Sequence, residues 1–466
     1  MYKSTESEHL QLSFFHFNAS CGMQLDTQNE WVKNANRLPW RVWESHYSAI
    51  FMTTTGNVAK PARMVIGSLI VQQRMGFSDR DLVKQIQENP YLQFFIGLES
   101  FQHTPPFAPT LLVEWRKRID VSFVIKINDA LCDAMPKGQK DRKSFGLRSR
   151  GTLVATQVCD ATVAPQNIRF PQDTSLLNEA RTKLEKMIDW FSSEYGLEKP
   201  RTYRKVAHKD YLAFAKSKKP SVDKIRAMIR QQLGYVYRDL KYIDSFIQSG
   251  YELHSKYQDY LETIRKVYEQ QKYMLENSTH KVANRIVSIS QPYVRPIVRG
   301  KVNKPTEFGA KLHLSIDERG FARIEYLSFD AYNEGPMLIQ ALEAYKYHHG
   351  CYPERVLVDQ IYRTRVNIAF CQKNGIRLSG PRLGRPTKKE EVKRKDAKTA
   401  AQDNVDRIQI ERYFSTAKRK NGMGLITKKR EDTSLMTIAF SILVTNIFGS
   451  FKLAVEGLES DSSSKA

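Results

Sequence analysis

Two short apolar runs that each end in an aspartate constrain the fold of this chain more than any other feature. LVATQVCD ends at Asp160, and RVLVD ends at Asp359, 199 positions later. Such a run, bounded by polar residues, is typical of a buried strand. A carboxylate at a strand end is held rigidly yet reaches solvent, which suits a hard divalent cation that keeps some of its waters. The alternative, for either residue alone, is an aspartate that caps the following loop.

A third acidic residue, Glu411, lies in RIQIERYFSTAKRKNG, which has a helical pattern. At 100° per residue, Arg407, Glu411, Phe414 and Lys418 fall within a stripe of roughly 60° on one helix. A metal-binding carboxylate beside cations that hold phosphate oxygens would suit phosphodiester cleavage. The alternative is a solvated helix in which Arg407 and Glu411 form an ion pair one turn apart.

Taken together, these residues resemble the DDE transposases of bacterial insertion sequences. The resemblance is to the branch whose third carboxylate lies in a Y-x2-R-x3-E-x6-K signature, and Arg407, Glu411 and Lys418 have that spacing. Asn404 stands where the signature has its tyrosine, which is not a metal ligand, so the substitution bears on local phosphate or DNA contacts. Other blocks continue the resemblance from about residue 30 to 450: DATVAPQNIRFPQDTSLLNEAR, QPYVRPIVRGKVNKPTEFGAKLHLSID, YPERVLVDQIYRTRVN and GIRLSGPRLGRP.

The resemblance implies an α/β fold class: a ribonuclease-H-like mixed-sheet catalytic core, interrupted by a large helical insertion and preceded by an all-α N-terminal domain. Asp160 would lie on the first strand of the core, Asp359 on the fourth, and Glu411 on a late helix. The predicted segments are an N-terminal tail (1–29), a helical DNA-binding domain (30–148), the first part of the core (149–172), the insertion (173–284), the remainder of the core (285–455) and a disordered tail (456–466).

The chemistry implied by the resemblance uses two Mg²⁺ ions, which Mn²⁺ can replace, held by Asp160, Asp359 and Glu411. One ion would activate the attacking water, and the other would stabilise the leaving 3′ oxygen. Arg407 and Lys418 would steady the phosphate as its charge grows. The further predicted DNA contacts are Arg412, Arg295, Arg299, Arg382 and Arg385.

The charge of the chain agrees with a polyanionic partner. The sequence has 73 Lys and Arg against 50 Asp and Glu, and residues 373–430 alone have 18 against 6. Such a concentration favours DNA binding by counterion release. We therefore expect double-stranded DNA as the partner, both the terminal inverted repeats and the target, bound by a homodimer. Two alternatives are a metal-dependent nuclease of the same fold, which cuts without joining, and a non-catalytic DNA-binding derivative.

Cysteine usage and hydropathy bear on the compartment. The five cysteines are widely spaced and contain no C-x-x-C, so neither a disulfide framework nor a zinc site is indicated. Cys159 is expected to pack in its strand. The apolar segment 435–448 is too short for a bilayer and predicts a buried helix. We expect a cytoplasmic, nucleoid-associated bacterial protein with no membrane partner.

The N-terminal region has a helical pattern interrupted at Gly76. Ser78 is a plausible N-cap for the following helix, so the pair resembles a helix-turn-helix, with a plain helical bundle as the alternative. A later helix, TLLVEWRKRI, offers Arg116, Lys117 and Arg118 to phosphates.

The surplus of sequence between the two aspartates predicts three or so long helices with Asp173 as the N-cap of the first. An antiparallel bundle is favoured over a surface that packs on DNA or pairs two protomers. Beyond it, AKLHLSIDERGFARIEYL alternates in polarity and predicts a β-hairpin with His313 facing solvent.

Overall fold

The computed structural model describes residues 1–3, 17, 24–51, 56–135, 155–298, 306–381 and 390–450. The chain divides into two compact units, each with more contacts between its own residues than with the rest of the chain. Unit 1 comprises Met1–Pro165, Lys311–Ser328 and Tyr332–Ala466, and unit 2 comprises Gln166–Ala310 and Phe329–Ala331.

The N-terminal part of unit 1 is helical, as expected. Its helices are α1 (Glu30–Arg37), α2 (Trp40–Ser48), α3 (Ala62–Met75), α4 (Asp79–Glu88), α5 (Pro90–Phe95), α6 (Leu111–Arg118) and α7 (Val121–Ala134).

The predicted break between α3 and α4 is confirmed. Gly76 ends α3 with a φ of 71°, a left-handed conformation that glycine adopts without a Cβ penalty, and the Ser78 hydroxyl accepts the Asp81 N–H at 3.2 Å. The prediction that Arg116 is available to phosphates is wrong. Its guanidinium is largely buried, donates to Oδ1 of Asp79 at 2.9 Å, and is therefore neutralised within the protein. Lys117 pairs with Glu114 at 2.9 Å.

The six strands of the described chain form one mixed sheet. They are β1 (Thr156–Pro165), β2 (Pro296–Val298), β3 (Thr306–Ile316), β4 (Ala322–Ser328), β5 (Arg355–Leu357) and β6 (Arg377–Leu378). The order is β2-β3-β1-β5-β6, and β4 also pairs with β3. The β1–β5 and β5–β6 pairs are parallel, whereas β3 is antiparallel to β2 and β4. This mixed α/β architecture is compatible with a helical N-terminal region and a ribonuclease-H-like core.

The hairpin prediction is confirmed by β3 and β4, which turn through Asp317–Gly320 with a Gly320 N–H to Asp317 C=O bond of 2.9 Å. The solvent-facing prediction for His313 is wrong. Residues 309–317 of β3 and its turn are all buried, and the His313 ring stacks on Tyr362 with centroids 5.6 Å apart. Burial lowers the pKa of His313 to about 4, so the ring is neutral. The alternating pattern fails here because both faces of β3 are covered.

The C-terminal part of unit 1 contributes α12 (Met337–His349), α13 (Arg365–Lys373), α14 (Glu390–Lys420) and α15 (Glu431–Thr445), and a π-helical turn (Asn446–Ser450) follows. The segment Glu431–Gly449 is long and apolar enough to span a membrane by length and composition alone, but 72% of its most apolar window is buried inside the protein. α15 packs against α3, α7, α14 and β4. It is therefore the buried core helix that the sequence predicts.

Asn446 joins four elements of unit 1 through one buried amide. Its Nδ2 donates to Oδ1 of Asn128 on α7 and to the Ala322 carbonyl on β4, each at 2.8 Å. Its Oδ1 accepts the Ala322 N–H at 2.9 Å and the Tyr413 hydroxyl of α14 at 2.8 Å. A fully bonded buried amide fixes geometry as well as adding stability, so α7, α14, α15 and the sheet share one core.

Unit 2 contains a bundle of α8 (Asp173–Tyr195), α9 (Arg204–Ala215), α10 (Val222–Gln248) and α11 (Ser255–Glu276), which confirms the prediction of long helices. α8, α10 and α11 share a core that includes Leu184, Phe191 and Leu240. The N-cap prediction for Asp173 is wrong by one residue. Asp173 is the first helical residue, and its carboxylate accepts from Arg285 at 2.7 Å and Gln271 at 2.9 Å, so it ties the bundle together.

Candidate active site

The sequence predicts Asp160 at the end of a strand, and this prediction is wrong. Asp160 lies inside β1. β1 pairs with β5 through Thr156–Val158 and then continues to Pro165. The Asp160 carboxylate is half-buried and accepts the N–H of Ala161 at 2.8 Å. Burial is the largest cause that raises the pKa of Asp160 to about 6; Glu334 and Asp359 add to it, whereas the Ala161 N–H and Arg407 oppose it.

Asp359 follows β5, as predicted, although β5 is the fifth strand in chain order because the short β2 precedes it. Its side chain caps a single 3₁₀ turn, Gln360–Tyr362, by accepting the Gln360 N–H at 2.8 Å. The carboxylate is 57% exposed and pairs with Arg407 at 3.3 Å. Because β5 is the parallel neighbour of β1, Asp359 at the end of β5 lies near Asp160, and its negative charge contributes to the raised pKa of Asp160.

A network of buried ion pairs fixes α14 against the sheet. Asp403 and Asp406 lie on the buried stripe of this helix, which continues through Ile410. Arg377 of β6 donates to both oxygens of Asp403 at 2.6 and 2.7 Å, and Arg355 of β5 donates to Asp406 at 2.7 Å. Bidentate arginine–carboxylate pairs are directional, so they set the register of the helix along the strands. Sequence reasoning missed this network, although the spacing of the two aspartates on an apolar stripe is a signal for it.

Arg407 and Lys418 connect the signature helix to the two strands that carry the aspartates. Arg407 contacts Asp359, and the Lys418 ammonium donates to Oγ1 of Thr162 on β1 at 2.9 Å. Thr162 is two residues beyond Asp160 and therefore on the same face of the strand. The charged stripe of α14 thus lies along β1.

Glu411 occupies the same stripe, one turn beyond Arg407 and two before Lys418. It is exposed and makes no hydrogen bond or ion pair with a described residue. The ion pair with Arg407 that a solvated helix would form is absent, because Arg407 turns to Asp359 instead.

A fourth acidic residue, Glu334, contributes to the electrostatics of the site and was not predicted. It pairs with the Lys311 ammonium at 2.8 Å, and both side chains are largely buried. The next residue, Gly335, leaves little room for a Cβ, which would lie 3.1 Å from the Ile361 carbonyl oxygen. Asn367 ties this segment to the turn after Asp359 by donating to the carbonyls of Gly335 and Tyr362 at 2.7 Å. Glu334 lies in a loop without periodicity, so no sequence pattern indicates its role.

A cleft of about 200 Å³ opens beside Asp359, and its lining includes Arg363, Asn404 and Arg407. Asn404, which replaces the tyrosine of the signature, is an exposed residue of this lining. The substitution therefore leaves a small polar group where the signature has a ring.

The donor set has the chemistry that a hard divalent cation requires, because Asp160, Asp359 and Glu411 all offer carboxylate oxygens. The buried hydroxyls of Tyr332 and Tyr362 also lack hydrogen-bond partners in the described part of the chain. However, no group of three or more His, Cys, Asp or Glu side chains among the described residues is arranged to hold a metal ion. The structure thus brings together Asp160, Asp359, Arg407 and Lys418, and it leaves the Glu411 carboxylate in solvent.

The other predicted DNA contacts differ in their surroundings. Arg412 is exposed on α14. Arg295 lies in unit 2, where it pairs with Asp330 at 3.6 Å and donates to the Pro292 carbonyl. Arg299, Arg382 and Arg385 lie outside the described residues.

Comparison with known proteins points to one class. Residues 356–448, which include Asp359 and α14, match the transposase DDE domain family, and residues 20–118 match the transposase domain family DUF772. These matches indicate an insertion-sequence DDE transposase. The chain is also similar to the uncharacterized protein ORF8 in the nfe locus of Rhizobium meliloti, with 28% identity over 176 residues, which are 38% of this chain and 79% of that protein. No solved structure matches the chain.

Proposed function

We propose that the protein binds the ends of an insertion sequence, cleaves them at a two-metal site formed by Asp160, Asp359 and Glu411, and transfers the 3′ ends into target DNA. One observation carries the proposal. The signature helix α14 is held along β1 and β5 by Arg407 on Asp359 and Lys418 on Thr162. Two residues of the signature, Arg407 and Lys418, thus contact the segments that carry the two aspartates, which supports the proposal.

The divalent ions that DDE domains generally use would be Mg²⁺, with Mn²⁺ as a substitute, bound by the carboxylates of Asp160, Asp359 and Glu411. When bound, such ions lower the pKa of a coordinated water and stabilise charge on a leaving oxygen. A bound cation would offset the negative charges of Glu334 and Asp359, which help to raise the pKa of Asp160, and this offset would favour binding. The exposed Glu411 side chain is free to turn toward β1, because no described residue holds it elsewhere.

The cations of the site would act on the DNA itself. Arg407 and Asp359 both line the cleft, so the Arg407 guanidinium can hold a non-bridging phosphate oxygen while it orients Asp359. Lys418 and Arg412 would contact the same backbone from α14, and Arg299, Arg382 and Arg385 would extend the contact. The partner would be double-stranded DNA, bound by a homodimer in the bacterial cytoplasm in association with the nucleoid. A ribonuclease-H-like core is the fold that the strand order supports.

The test is nicking of a duplex that carries the element end, in Mg²⁺, by the native protein and Asp359→Asn. The variant should lose nicking and keep DNA binding, since Arg407 and the basic α14 surface remain. A precut end offered with target DNA then separates transposase from nuclease, because only the transposase joins the two. Retained nicking by Asp359→Asn would remove this residue from the site.

A further inference from the structure

The net positive charge of residues 166–310, which include the helical insertion, is concentrated in one segment. Residues 166–310 contain 27 Lys and Arg against 16 Asp and Glu. Of these, 13 basic and 3 acidic residues lie in 199–241, which leaves the rest of the stretch nearly neutral. A solvated bundle surface has interspersed charges, as the neutral part does, so the concentration in one segment marks a surface with a separate role.

The charges of this segment point away from the bundle core. On α9, Ala207 and Tyr211 are buried, and Lys205, Lys209 and Lys216 fall on the opposite side of the helix at 100° per residue. The chain then continues through further lysines to the start of α10. Six exposed lysines together form a surface that we name the α9 basic face: Lys205, Lys209, Lys216, Lys218, Lys219 and Lys224.

None of these six lysines forms an ion pair with a described residue. Two lysines elsewhere in the same bundle are paired, Lys266 with Glu262 at 2.6 Å and Lys183 with Glu179 at 3.8 Å. The charge of the α9 basic face is therefore not compensated within the described chain, and a polyanion is its complement.

The start of α9 is held in a strained conformation, which fixes the orientation of the face. Tyr203 has a φ of 54°, unusual for a residue with a side chain. Two guanidinium groups contact its ring, that of Arg201 at 4.5 Å and that of Arg238 at 4.7 Å from the ring centroid. Arg204 then pairs with both oxygens of Asp189 on α8 at 2.8 and 2.9 Å. These contacts position the lysines before any ligand arrives.

We propose that the α9 basic face binds the phosphate backbone of duplex DNA. The proposal rests on the proposed function in taking DNA as the partner, but it assigns a second contact surface outside the carboxylate site. From Lys205 to Lys216 the helix rises about 16 Å, which spans about five phosphates of one strand. Lysine on flexible stems is suited to backbone contact without base readout, so binding at this face should not depend on sequence.

The test measures the salt dependence of binding by the full chain to a labelled duplex of arbitrary sequence. The triple variant Lys205→Gln, Lys209→Gln, Lys216→Gln should reduce the slope of log affinity against log salt by about 2.7, since each phosphate contact contributes about 0.9. The matched control is Lys266→Gln, Lys272→Gln, Lys281→Gln, which removes the same charge from the neutral part of the bundle and should change the slope far less. The corresponding triple arginine variant of the face should retain the native slope.

An unchanged slope in the glutamine variant of the face, or equal losses in it and its control, would overturn the proposal. Asp160→Asn, tested for nicking in parallel, separates this outcome from failure of the proposed function. If Asp160→Asn still nicks while the face variant loses its slope, the active-site assignment fails and the surface stands. If Asp160→Asn loses nicking while the face variant binds as the native chain does, the active-site assignment stands and the proposal for the α9 basic face fails.

Discussion

Replacement of Asp239 by asparagine is expected to stabilise unit 2 at neutral pH. Asp239 lies on α10 inside the helical bundle, fully buried, and neither of its carboxylate oxygens has a hydrogen-bond partner among the described residues. Burial is the largest cause that raises the pKa of Asp239 to about 7, and the charge of Glu185 adds to it. Arg181, Arg238 and Arg204 oppose the increase but do not cancel it.

The magnitude follows from the difference between this pKa and the ordinary value of 3.8. A difference of about three units corresponds to at most about 4 kcal/mol. The folded chain holds the Asp239 proton more tightly than the unfolded chain does. The stability that depends on this proton is therefore fully present below pH 3.8 and is lost as the pH rises through about 7. Asparagine has no such proton to lose, so the stabilisation by the variant should grow over that interval.

Trp190 provides a local probe, since it is the single tryptophan of residues 166–310 and packs against the bundle core. With fluorinated tryptophan, urea unfolding of unit 2 in the full chain can be followed by the ¹⁹F signal of Trp190, assigned with Trp190→Phe. The urea concentration at the midpoint of unfolding should be lower at pH 8 than at pH 5 for the native chain. The same decrease should be smaller for Asp239→Asn. A variant less stable than the native chain at pH 8 would refute the reasoning, because Asp239 would then be an ionised, stabilising partner of the nearby arginines.

Two further predictions concern α14 and the glycines. Asp403→Ala leaves Arg377 of β6 without its carboxylate partner, while Arg355 of β5 keeps its contact with Asp406. The change should cost about 3 kcal/mol of folding free energy, toward the low end for buried pairs because Arg377 is partly exposed. An unchanged denaturation midpoint would show that Asp403 does not hold the helix. Gly424→Ala would place a Cβ 2.6 Å from the Lys418 carbonyl, so it should lower the melting temperature, with a cost of about 1–3 kcal/mol. Gly234 lies in the middle of α10, and an added Cβ would meet no neighbouring atom within 4 Å. Gly234→Ala should therefore increase the free energy of unfolding by as much as about 1 kcal/mol. Equal changes in stability at the two glycines would contradict this prediction.

The parts of the fold that the sequence predicts are those in which local periodicity and burial agree. α14 shows this agreement, because the stripe that carries Arg407 and Lys418 does lie beside the sheet. His313 shows the opposite. Its strand alternates in polarity, yet both faces are covered by protein, and no pattern within one strand reports what packs on its second face.

Two features of the site depend on contacts between distant segments. Glu334 acts near Asp160 only because Asn367 and the tight approach of Gly335 bring its loop to the turn after Asp359. The apolar run that ends at Asp160 predicts a strand end there, but β1 continues for five more residues. In both cases the deciding contacts are non-local.

The proposed function requires that Asp160, Asp359 and Glu411 bind the same divalent ions. Backbone cleavage by Fe²⁺ in place of Mg²⁺, with ascorbate and peroxide, can detect these ligands in the protein itself, because the radicals formed at the ion cut the chain nearby. We expect cuts near residues 160, 359 and 411 in the DNA-bound protein, suppressed together by excess Mg²⁺ and lost in Asp160→Asn. Cuts near 160 and 359 with none near 411 would contradict the assignment of Glu411 as the third ligand.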